Sequence, residues 1–349
     1  MKPAPFRIEP TFSPRIWGTR SLAPLFPDKN NLVEPIGEAW LTDVQCRIAN
    51  GPFAGKTLGE AWTKLPLDWR GQRCATMQDF PLLVKFIFPT DKLSIQVHPD
   101  DRYASVHEVA SGGRGKTEMW HTVSAQPDAK LLLGLKPGVT KKEFAAAADS
   151  KRLEELFQEH AVNEKDTFFV PARVPHSIGP GLIMCEVQEY CDLTYRVYDY
   201  GRVDATGKPR QLHLDKALEV IDFDGPRIDK VRSLHWGSQK MAISLLAACK
   251  YFATESWRLE EPFTPHQRTD AFSLLVILSG TGSLKWYAGN AHYQPGECWF
   301  IPASINSYDL TPDHVTSLIH ADIPDLNNLR GKLRMLGITD SEISDAVFE

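Results

Sequence analysis

Short apolar runs punctuated by glycine and proline constrain the fold of this chain most. Runs such as "PLLVKFIF" (81–88) and "DTFFVPA" (166–172) are rich in β-branched and aromatic residues and are typical of β-strands. Many short strands joined by turns predict a β-sandwich or a closed barrel. Residues 138–162 differ, because they combine a capping box of Thr140 and Glu143 with apolar residues at helical spacing. We therefore expect a mainly β chain with one helical insertion.

The length and the recurrence of the strand pattern predict two domains. A chain of 349 residues exceeds the roughly 250–300 residues at which single cores stop growing. The pattern of strands and turns starts again after "HLDKALEVIDFDGP" (213–226). We therefore expect a first domain at 1–238 and a smaller, related β domain at 239–349. No linker-like segment separates the two, which predicts that they pack tightly.

Charge and composition narrow the class of partner. The net charge of -5, with both signs interspersed, provides no basic stripe for nucleic acid or an anionic membrane, so a small molecule is the favoured partner. The N-terminal "MKPAPFRIEPTFSP" lacks the apolar core of a secretory signal, and no apolar run is long enough for a membrane span. We expect a cytoplasmic protein. Six cysteines without a C-x-x-C pair predict free thiols.

The segment "LSIQVHPDD" (93–101) is the first indication of a site. Read as a strand, it places Ser94, Gln96 and His98 on one face and its apolar residues on the other. A Gln-x-His pair on a strand is more often structural than functional. Three polar side chains on one face nevertheless indicate that they contact a common binding partner.

Two later segments supply further polar groups. In "GKTEMWH", Lys116 and Glu118 share one face of another predicted strand, and "VPARVPHSIGPG" places His176 in a rigid loop. Taken singly, these are typical of a solvated edge pair and a surface histidine. Together, Gln96, His98, Glu118 and His176 form a mixed nitrogen and oxygen set that suits zinc or a similar divalent ion. A set without thiolate also tolerates a water or a substrate oxygen, which favours a catalytic metal.

These blocks identify a family resemblance. The strings "LSIQVHPDDRYA", "GKTEMWH" and "VPARVPHSIGPGLIMCEVQEYCDLTYRVYDYGR", preceded by "RIWGT", resemble type I mannose-6-phosphate isomerase in its short bacterial form, over roughly residues 10 to 215. The resemblance implies two cupin-type jelly-roll β domains with a helical insertion in the first. It also implies a zinc-dependent enzyme, with one Zn²⁺ per chain, that interconverts D-mannose 6-phosphate and D-fructose 6-phosphate through an enediol.

The resemblance assigns roles to individual residues. It implies that zinc is bound by Gln96, His98, Glu118 and His176. It places Trp17 and Ser94 in the substrate pocket and implies catalytic roles for Lys116 and Glu186.

The catalytic arginine can be read in two ways. A gapless count from Glu186 reaches Arg196, whereas "YDYGR" offers Arg202, six residues later. We favour Arg196 as the catalytic group and place Arg202 at the rim, in contact with substrate. Lys208 and Arg210 are secondary phosphate candidates, for which solvated loop charge is the simpler interpretation.

The same residues have simpler structural interpretations. The two arginines could pair with Asp192, Asp199 or Asp204, Glu186 could face solvent, and Trp17 could be a core residue. The identity of the general base also stays open. A nearby dication would lower the pKa of Lys116 and make it a base, with Glu186 or a metal-bound water as rivals.

Two other functions remain as alternatives. A metal-dependent cupin oxygenase would be expected to have an open, histidine-rich iron site, and a non-catalytic sugar-phosphate-binding regulator would be expected to lack Lys116 or the arginine. In the second domain, "FIPASINSYDL" has no histidine at the place that His176 occupies in the first, so we expect no metal there. The chain is expected to act as a monomer or a homodimer.

Overall fold

The computed structural model describes residues 2–203, 207–225, 227–265 and 269–349. This part of the chain is mainly β, as predicted. The strands up to residue 198 are β1 (Phe6–Ile8), β2 (Thr11–Thr19), β3 (Ile36–Trp40), β4 (Leu82–Ile87), β5 (Ile95–Val97), β6 (Glu118–Ala125), β7 (Lys130–Leu135), β8 (Phe157–Ala161), β9 (Thr167–Val170), β10 (His176–Ile178), β11 (Leu182–Glu189) and β12 (Tyr195–Tyr198). The later strands are β13 (Leu234–Gly237), β14 (Met241–Ala248), β15 (Ala253–Leu259), β16 (Ser273–Ser279), β17 (Gly282–Trp286), β18 (Gly289–Tyr293), β19 (Cys298–Ile301), β20 (Tyr308–Pro312) and β21 (Thr316–Asp322).

Short helices connect and cover the strands. The α-helices are α1 (Leu58–Trp62), α2 (Leu67–Arg70), α3 (Asp101–His107), α4 (Lys141–Ala147), α5 (Leu214–Val220), α6 (Leu326–Met335) and α7 (Asp340–Ser344). Turns of 3-10 helix lie at Gly51–Phe53, Gln72–Cys74, Val109–Ser111 and Lys151–Leu156. No helix in the described ranges has the length and apolar character that a membrane crossing requires.

Two antiparallel sheets form the first barrel. One has the strand order β2-β3-β4-β11-β6-β9 and the other β12-β5-β10-β7-β8. Strand β4 is buried along its whole length because its two faces have different neighbours. Val84 and Phe86 join the apolar cluster outside the barrel, whereas Ile87 belongs to the cluster inside it. The alternation of a strand therefore directs Lys85 into the barrel interior.

A seven-stranded sheet, β1-β19-β16-β21-β15-β14-β13, and a three-stranded sheet, β18-β17-β20, form the second barrel. The N-terminal strand β1 pairs with β19, so Phe6 lies opposite Phe300. Strand pairing therefore places Phe6–Ile8 and Leu234–Gly237 with the later strands. The division at residue 238 stays a prediction.

The two halves of the chain share one apolar cluster. The rings of Phe272 and Phe300 stack at 4.8 Å, Phe80 lies 5.3 Å from Phe272, and Trp62 packs edge-on at 5.7 Å. Losing one such fully buried aromatic side chain typically costs about 3–5 kcal/mol. All six cysteines are free and buried, which confirms that prediction.

The helical insertion is shorter than expected. The capping box of Thr140 and Glu143 is present at the start of α4, and a 3-10 helix follows at Lys151–Leu156. Residues 157–161 form strand β8 instead of continuing the helix, because their backbone pairs with β7. The sequence pattern did not reveal this pairing, which overrides the helical spacing of the side chains.

Candidate metal and active site

Strand β5 brings together three residues that are far apart in the sequence. Gln96 lies directly opposite His176 of β10 on one side and Arg196 of β12 on the other. Opposed residues on neighbouring strands project to the same face of a sheet. The polar face predicted from "LSIQVHPDD" is therefore directed into the barrel, where Ser94 and His98 are buried.

His98, Glu118 and His176 form a cluster that can hold a metal ion. One donor atom from each lies within 4.8 Å of the other two. Glu118 Oε1 is 3.8 Å from His98 Nε2 and 3.5 Å from His176 Nε2. Gln96 adjoins the cluster, since its Nε2 lies 3.3 Å from His176 Nε2. A half-turn of its terminal amide would direct the oxygen to the same place.

The second nitrogen of each histidine is held by the backbone. His98 Nδ1 lies 2.8 Å from the Leu193 carbonyl oxygen, and His176 Nδ1 lies 3.0 Å from that of Val174. A carbonyl only accepts, so each Nδ1 carries the proton and each Nε2 directs a lone pair at the cluster. Burial and the Lys116 ammonium lower the pKa of His98, and they lower the pKa of His176 to about 4. Both imidazoles are therefore neutral, which is the form that binds metal.

Glu118 provides a direct test of whether these residues fit a metal. Its carboxylate is fully buried, and neither oxygen makes a hydrogen bond of normal geometry, although Oε2 lies 2.6 Å from Lys116 Nζ. A buried carboxylate oxygen without a hydrogen-bond partner is costly. Lys116 pairs with Oε2, whereas Oε1 has no hydrogen-bond partner, so a cation between Oε1 and the two Nε2 atoms would remove that cost. The donor set therefore fits a divalent ion.

Lys116 and Glu186 lie beside the cluster. Lys116 Nζ is 3.2 Å from His98 Nε2 and 3.8 Å from Glu186 Oε1. Burial disfavours the ammonium, but the carboxylates of Glu118 and Glu186 outweigh burial and raise the pKa of Lys116. A nearby dication alone would lower the pKa of Lys116, so the carboxylates shift that pKa in the opposite direction.

Glu186 is buried and does not face solvent. Its Oε2 accepts a hydrogen bond of 2.9 Å from Trp120 Nε1, and Lys85 Nζ lies 3.8 Å from its Oε1. Burial and the Glu118 carboxylate raise the pKa of Glu186. A buried carboxyl with a raised pKa beside other charged groups is a candidate for proton transfer.

A cavity of about 340 Å³ opens beside these groups. It is lined by six of the residues singled out in the sequence: Trp17, Ser94, Gln96, Lys116, Glu186 and Arg196. It is also lined by five charged residues to which the sequence analysis gave no primary role: Arg15, Glu38, Lys85, Asp192 and Arg210. The cavity therefore places acidic and basic side chains next to the metal cluster, which it reaches through Gln96 and Lys116.

The two arginines have different surroundings. Arg196 lines the cavity, and its Nη1 donates to the Gln211 carbonyl at 3.0 Å. Arg202 is not among the cavity residues. Its Nη2 lies 2.6 Å from Asp199 Oδ1 and its Nη1 lies 3.3 Å from Asp91 Oδ2, so the pairing with Asp199 that was left open is present. Of the other two proposed partners, Asp192 pairs with Lys85, and Asp204 lies outside the described residues.

Arg210 occupies the position expected of a rim arginine. Its Nε and Nη2 lie 2.7 and 2.5 Å from the two oxygens of Asp199, which is a bidentate pair. Arg210 lines the cavity and is paired with Asp199, and Arg202 contacts the same Asp199 oxygen, Oδ1, without lining the cavity. The sequence indicated Arg210 only weakly because nothing in "TGKPRQLH" fixes the path of the loop.

The lysine within the apolar run of β4 was also missed. Lys85 Nζ lies 2.8 Å from Asp192 Oδ1 and 4.3 Å from the centre of the Trp40 ring. A single charged residue in "PLLVKFIF" was the available signal. Its alternation with buried apolar neighbours could have placed it in the barrel.

Comparisons with known proteins agree with this architecture. Residues 5–120 match the family "Phosphomannose isomerase type I, catalytic domain", and residues 242–320 match the family "Mannose-6-phosphate isomerase, cupin domain". Mannose-6-phosphate isomerase ManA of Bacillus subtilis (strain 168) is 32% identical over 321 residues, which cover 89% of this chain and 96% of ManA.

Solved structures show the same fold. The mannose 6-phosphate isomerase from Bacillus subtilis has a TM-score of 0.83 and 27% identity, with 91% of this chain and 99% of that chain covered. A zinc-bound mannose 6-phosphate isomerase shares the fold with a TM-score of 0.73 at 15% identity, over 91% of this chain and 98% of its own. By its sequence and its two cupin barrels, the chain belongs to the type I mannose-6-phosphate isomerase family.

Proposed function

We propose that this protein interconverts D-mannose 6-phosphate and D-fructose 6-phosphate. The observation that carries the proposal is that one cavity is lined by the Lys116–Glu186 pair and Arg196 and adjoins the metal cluster. Aldose–ketose isomerisation needs a group that moves a proton between C2 and C1 and groups that stabilise the negative charge of an enediolate. Family membership supports the identity of the sugar phosphate.

We propose that Gln96, His98, Glu118 and His176 hold one zinc ion per chain. The neutral imidazoles and the unpaired Oε1 atom of Glu118 support this ligand set. Two histidines and one carboxylate are also the ligands of many non-haem iron sites, so these residues alone do not specify zinc. The related zinc-bound isomerase supports that choice. When bound, such an ion supplies Lewis acidity toward substrate oxygens.

Lys116 and Glu186 are the groups we propose for proton transfer. Both are buried against the cavity and lie 3.8 Å apart, so a proton taken from the substrate carbon by one can be shared with the other. The hydrogen bond from Trp120 and the pairing with Lys85 fix the Glu186 carboxylate in place. Trp17 and Ser94 would contact the sugar from the cavity wall.

We propose two roles for the arginines. Arg196 would stabilise the developing negative charge, because its guanidinium lines the cavity in the same row as Gln96 and His176. Arg210 would bind the phosphate, since Asp199 presents its guanidinium toward the cavity. Arg202, which the sequence predicted to contact substrate at the rim, would act on the phosphate through its ion pair with Asp199.

A coupled assay on the purified protein tests the function. Formation of fructose 6-phosphate from mannose 6-phosphate should be lost after treatment with a chelator and restored by zinc. A protein that binds mannose 6-phosphate without turnover would be a regulator. Oxygen consumption with bound iron would indicate the oxygenase alternative. The cytoplasmic location and the monomeric or homodimeric state stay predictions.

A further inference from the structure

Arg173 has a backbone conformation that is unusual for a residue with a side chain. Its φ is +74°, in the left-handed region that glycine adopts without strain. It lies three residues before His176, in the half-buried loop between β9 and β10. A strained conformation at such a position suggests a role for the side chain, because glycine would take the same conformation without cost.

The backbone of Arg173 contacts one proposed metal ligand and the loop that carries another. Its N–H donates to the carbonyl of His98 at 2.7 Å, and its own carbonyl accepts from the Asp222 N–H at 3.1 Å. The next residue, Val174, provides the carbonyl that accepts from His176 Nδ1. The left-handed turn therefore fixes the positions of His98 and His176 relative to each other.

The side chain of Arg173 extends this connection to helix α5. Arg173 Nε donates to the carbonyl of Val220, the last residue of α5, at 2.9 Å. The last four carbonyls of a helix have no partner within the helix, and a cation there is also favoured by the helix dipole. The guanidinium thus supplies a hydrogen bond that the helix end otherwise lacks.

The other end of α5 holds the strand of Arg196. His213, which precedes the helix, donates its N–H to the Arg196 carbonyl at 2.7 Å, and its Nδ1 lies 3.2 Å from the Arg196 N–H. Helix α5 also packs against β12 through buried Val220 and Ala217 in the cluster that contains Tyr195. One continuous path of contacts therefore runs from the metal cluster through Arg173 and α5 to Arg196.

We propose that Arg173 is a positioning residue that keeps the metal-ligand loop and the strand of Arg196 in fixed relation through helix α5. The inference rests on the proposed function, since it takes His98 and His176 as ligands and Arg196 as the catalytic arginine. Its core is the hydrogen bond from the guanidinium to the helix end.

Three substitutions separate the side-chain hydrogen bond from the backbone strain. Arg173→Met keeps the strain and removes the donor, Arg173→Lys keeps the strain and one donor, and Arg173→Gly removes both. We expect the Met and Gly variants to bind zinc about tenfold more weakly in a chelator competition, the scale for losing an outer-shell contact. The Lys variant should stay within about threefold of the wild type. Lys165→Gly is the matched control, because Lys165 also has a positive φ of 72° but an exposed side chain.

Amide hydrogen exchange in the metal-free protein gives a readout that does not depend on activity. In the Met variant, exchange should be faster at Asp222 and through residues 213–220, while the Lys variant should match the wild type. The proposal is overturned if Met and Lys variants bind zinc equally well and exchange equally. If the wild type neither binds zinc nor isomerises mannose 6-phosphate, the proposed function fails. Unchanged exchange in the Met variant would then overturn this inference separately.

Discussion

Arg196 lies directly opposite Gln96 across the β12–β5 ladder, and Gln96 lies opposite His176 across the β5–β10 ladder. Three adjacent strands therefore place a guanidinium, an amide and an imidazole in one row, although the residues are separated by long stretches of sequence. A slip of one residue in β12 would turn Arg196 to the other face of the sheet. The register of these short strands is thus a condition for the site.

The metal prediction concerns ligand loss. His98→Ala removes one Nε2 donor from a buried cluster. The zinc content, measured by elemental analysis, should fall from about one ion per chain to a small fraction of that. The exposed His107 serves as the control, since His107→Ala should leave the zinc content unchanged. Full zinc content in the His98 variant would show that the ion lies elsewhere.

The second barrel is expected to bind no metal. The segment "FIPASINSYDL" provides no histidine at the place where His176 lies in the first barrel. Wild-type protein equilibrated with excess zinc and then desalted should therefore retain about one ion per chain. Retention of about two ions, with one surviving in Glu118→Ala, would contradict this expectation.

The proton-transfer prediction concerns Glu186. Glu186→Gln keeps the size of the side chain and an oxygen that can accept from Trp120 Nε1, but it removes the proton-accepting carboxylate. We expect kcat to fall by about 10²–10⁴, the usual range for losing an acid–base group, with a small change in KM. Glu159→Gln, at an exposed position of strand β8, is the control. A Glu186→Gln enzyme with near-normal kcat would leave Lys116 as the stronger candidate for the base.

The pH prediction concerns Glu189, at the contact between the two halves of the chain. Burial and the Asp101 carboxylate raise the pKa of Glu189 from 4.5 to about 8, against Lys250 and the hydrogen bond from the Thr117 N–H. The Tyr251 hydroxyl donates to Asp101 beside it. Because the folded protein holds this proton more tightly than the unfolded chain, the stabilisation is complete below about pH 4.5. It is lost as the pH rises to about 8.

Glu189→Gln should remove that pH dependence. Glutamine is neutral at every pH and can still accept from the Thr117 N–H. Between about pH 5 and pH 8, the free energy of unfolding of the wild type should fall by a few kcal/mol relative to the variant, at roughly 1.4 kcal/mol per pKa unit. Urea titrations at both pH values measure this difference. Parallel pH profiles for the two proteins would show that Glu189 titrates normally.

Periodicity in the sequence predicted the polar face of β5, and composition predicted the mainly β class. The alternation of Ser94, Gln96 and His98 is a local property, so it is visible without the fold. The pairing of Gln96 with Arg196 is not local, because register depends on which strands meet. Parity alone also could not separate Arg196 from Arg202.

The residues that were missed show the same limit. Lys85 lies in an otherwise apolar strand, and its pairing with Asp192, which is distant in the sequence, shows that it faces the cavity. Arg210 lies in a loop whose course is set by Asp199, so no pattern in the chain identifies it. The strand at 157–161 likewise depends on its pairing with β7, whereas Leu153, Leu156 and Phe157 have the spacing of a helix.

The last prediction separates the three arginines. Arg196→Ala removes the guanidinium in the row with Gln96 and should lower kcat about a hundredfold or more, the scale for losing one transition-state stabiliser. Arg210→Ala should chiefly raise KM, as expected when uniform binding of the phosphate is weakened. Arg202→Ala should also raise KM, but less than Arg210→Ala, because Arg202 reaches the cavity only through Asp199. Steady-state kinetics with mannose 6-phosphate measure all three. A collapse of kcat confined to the Arg202 variant would show that the catalytic guanidinium comes from the loop after β12 and not from the strand itself.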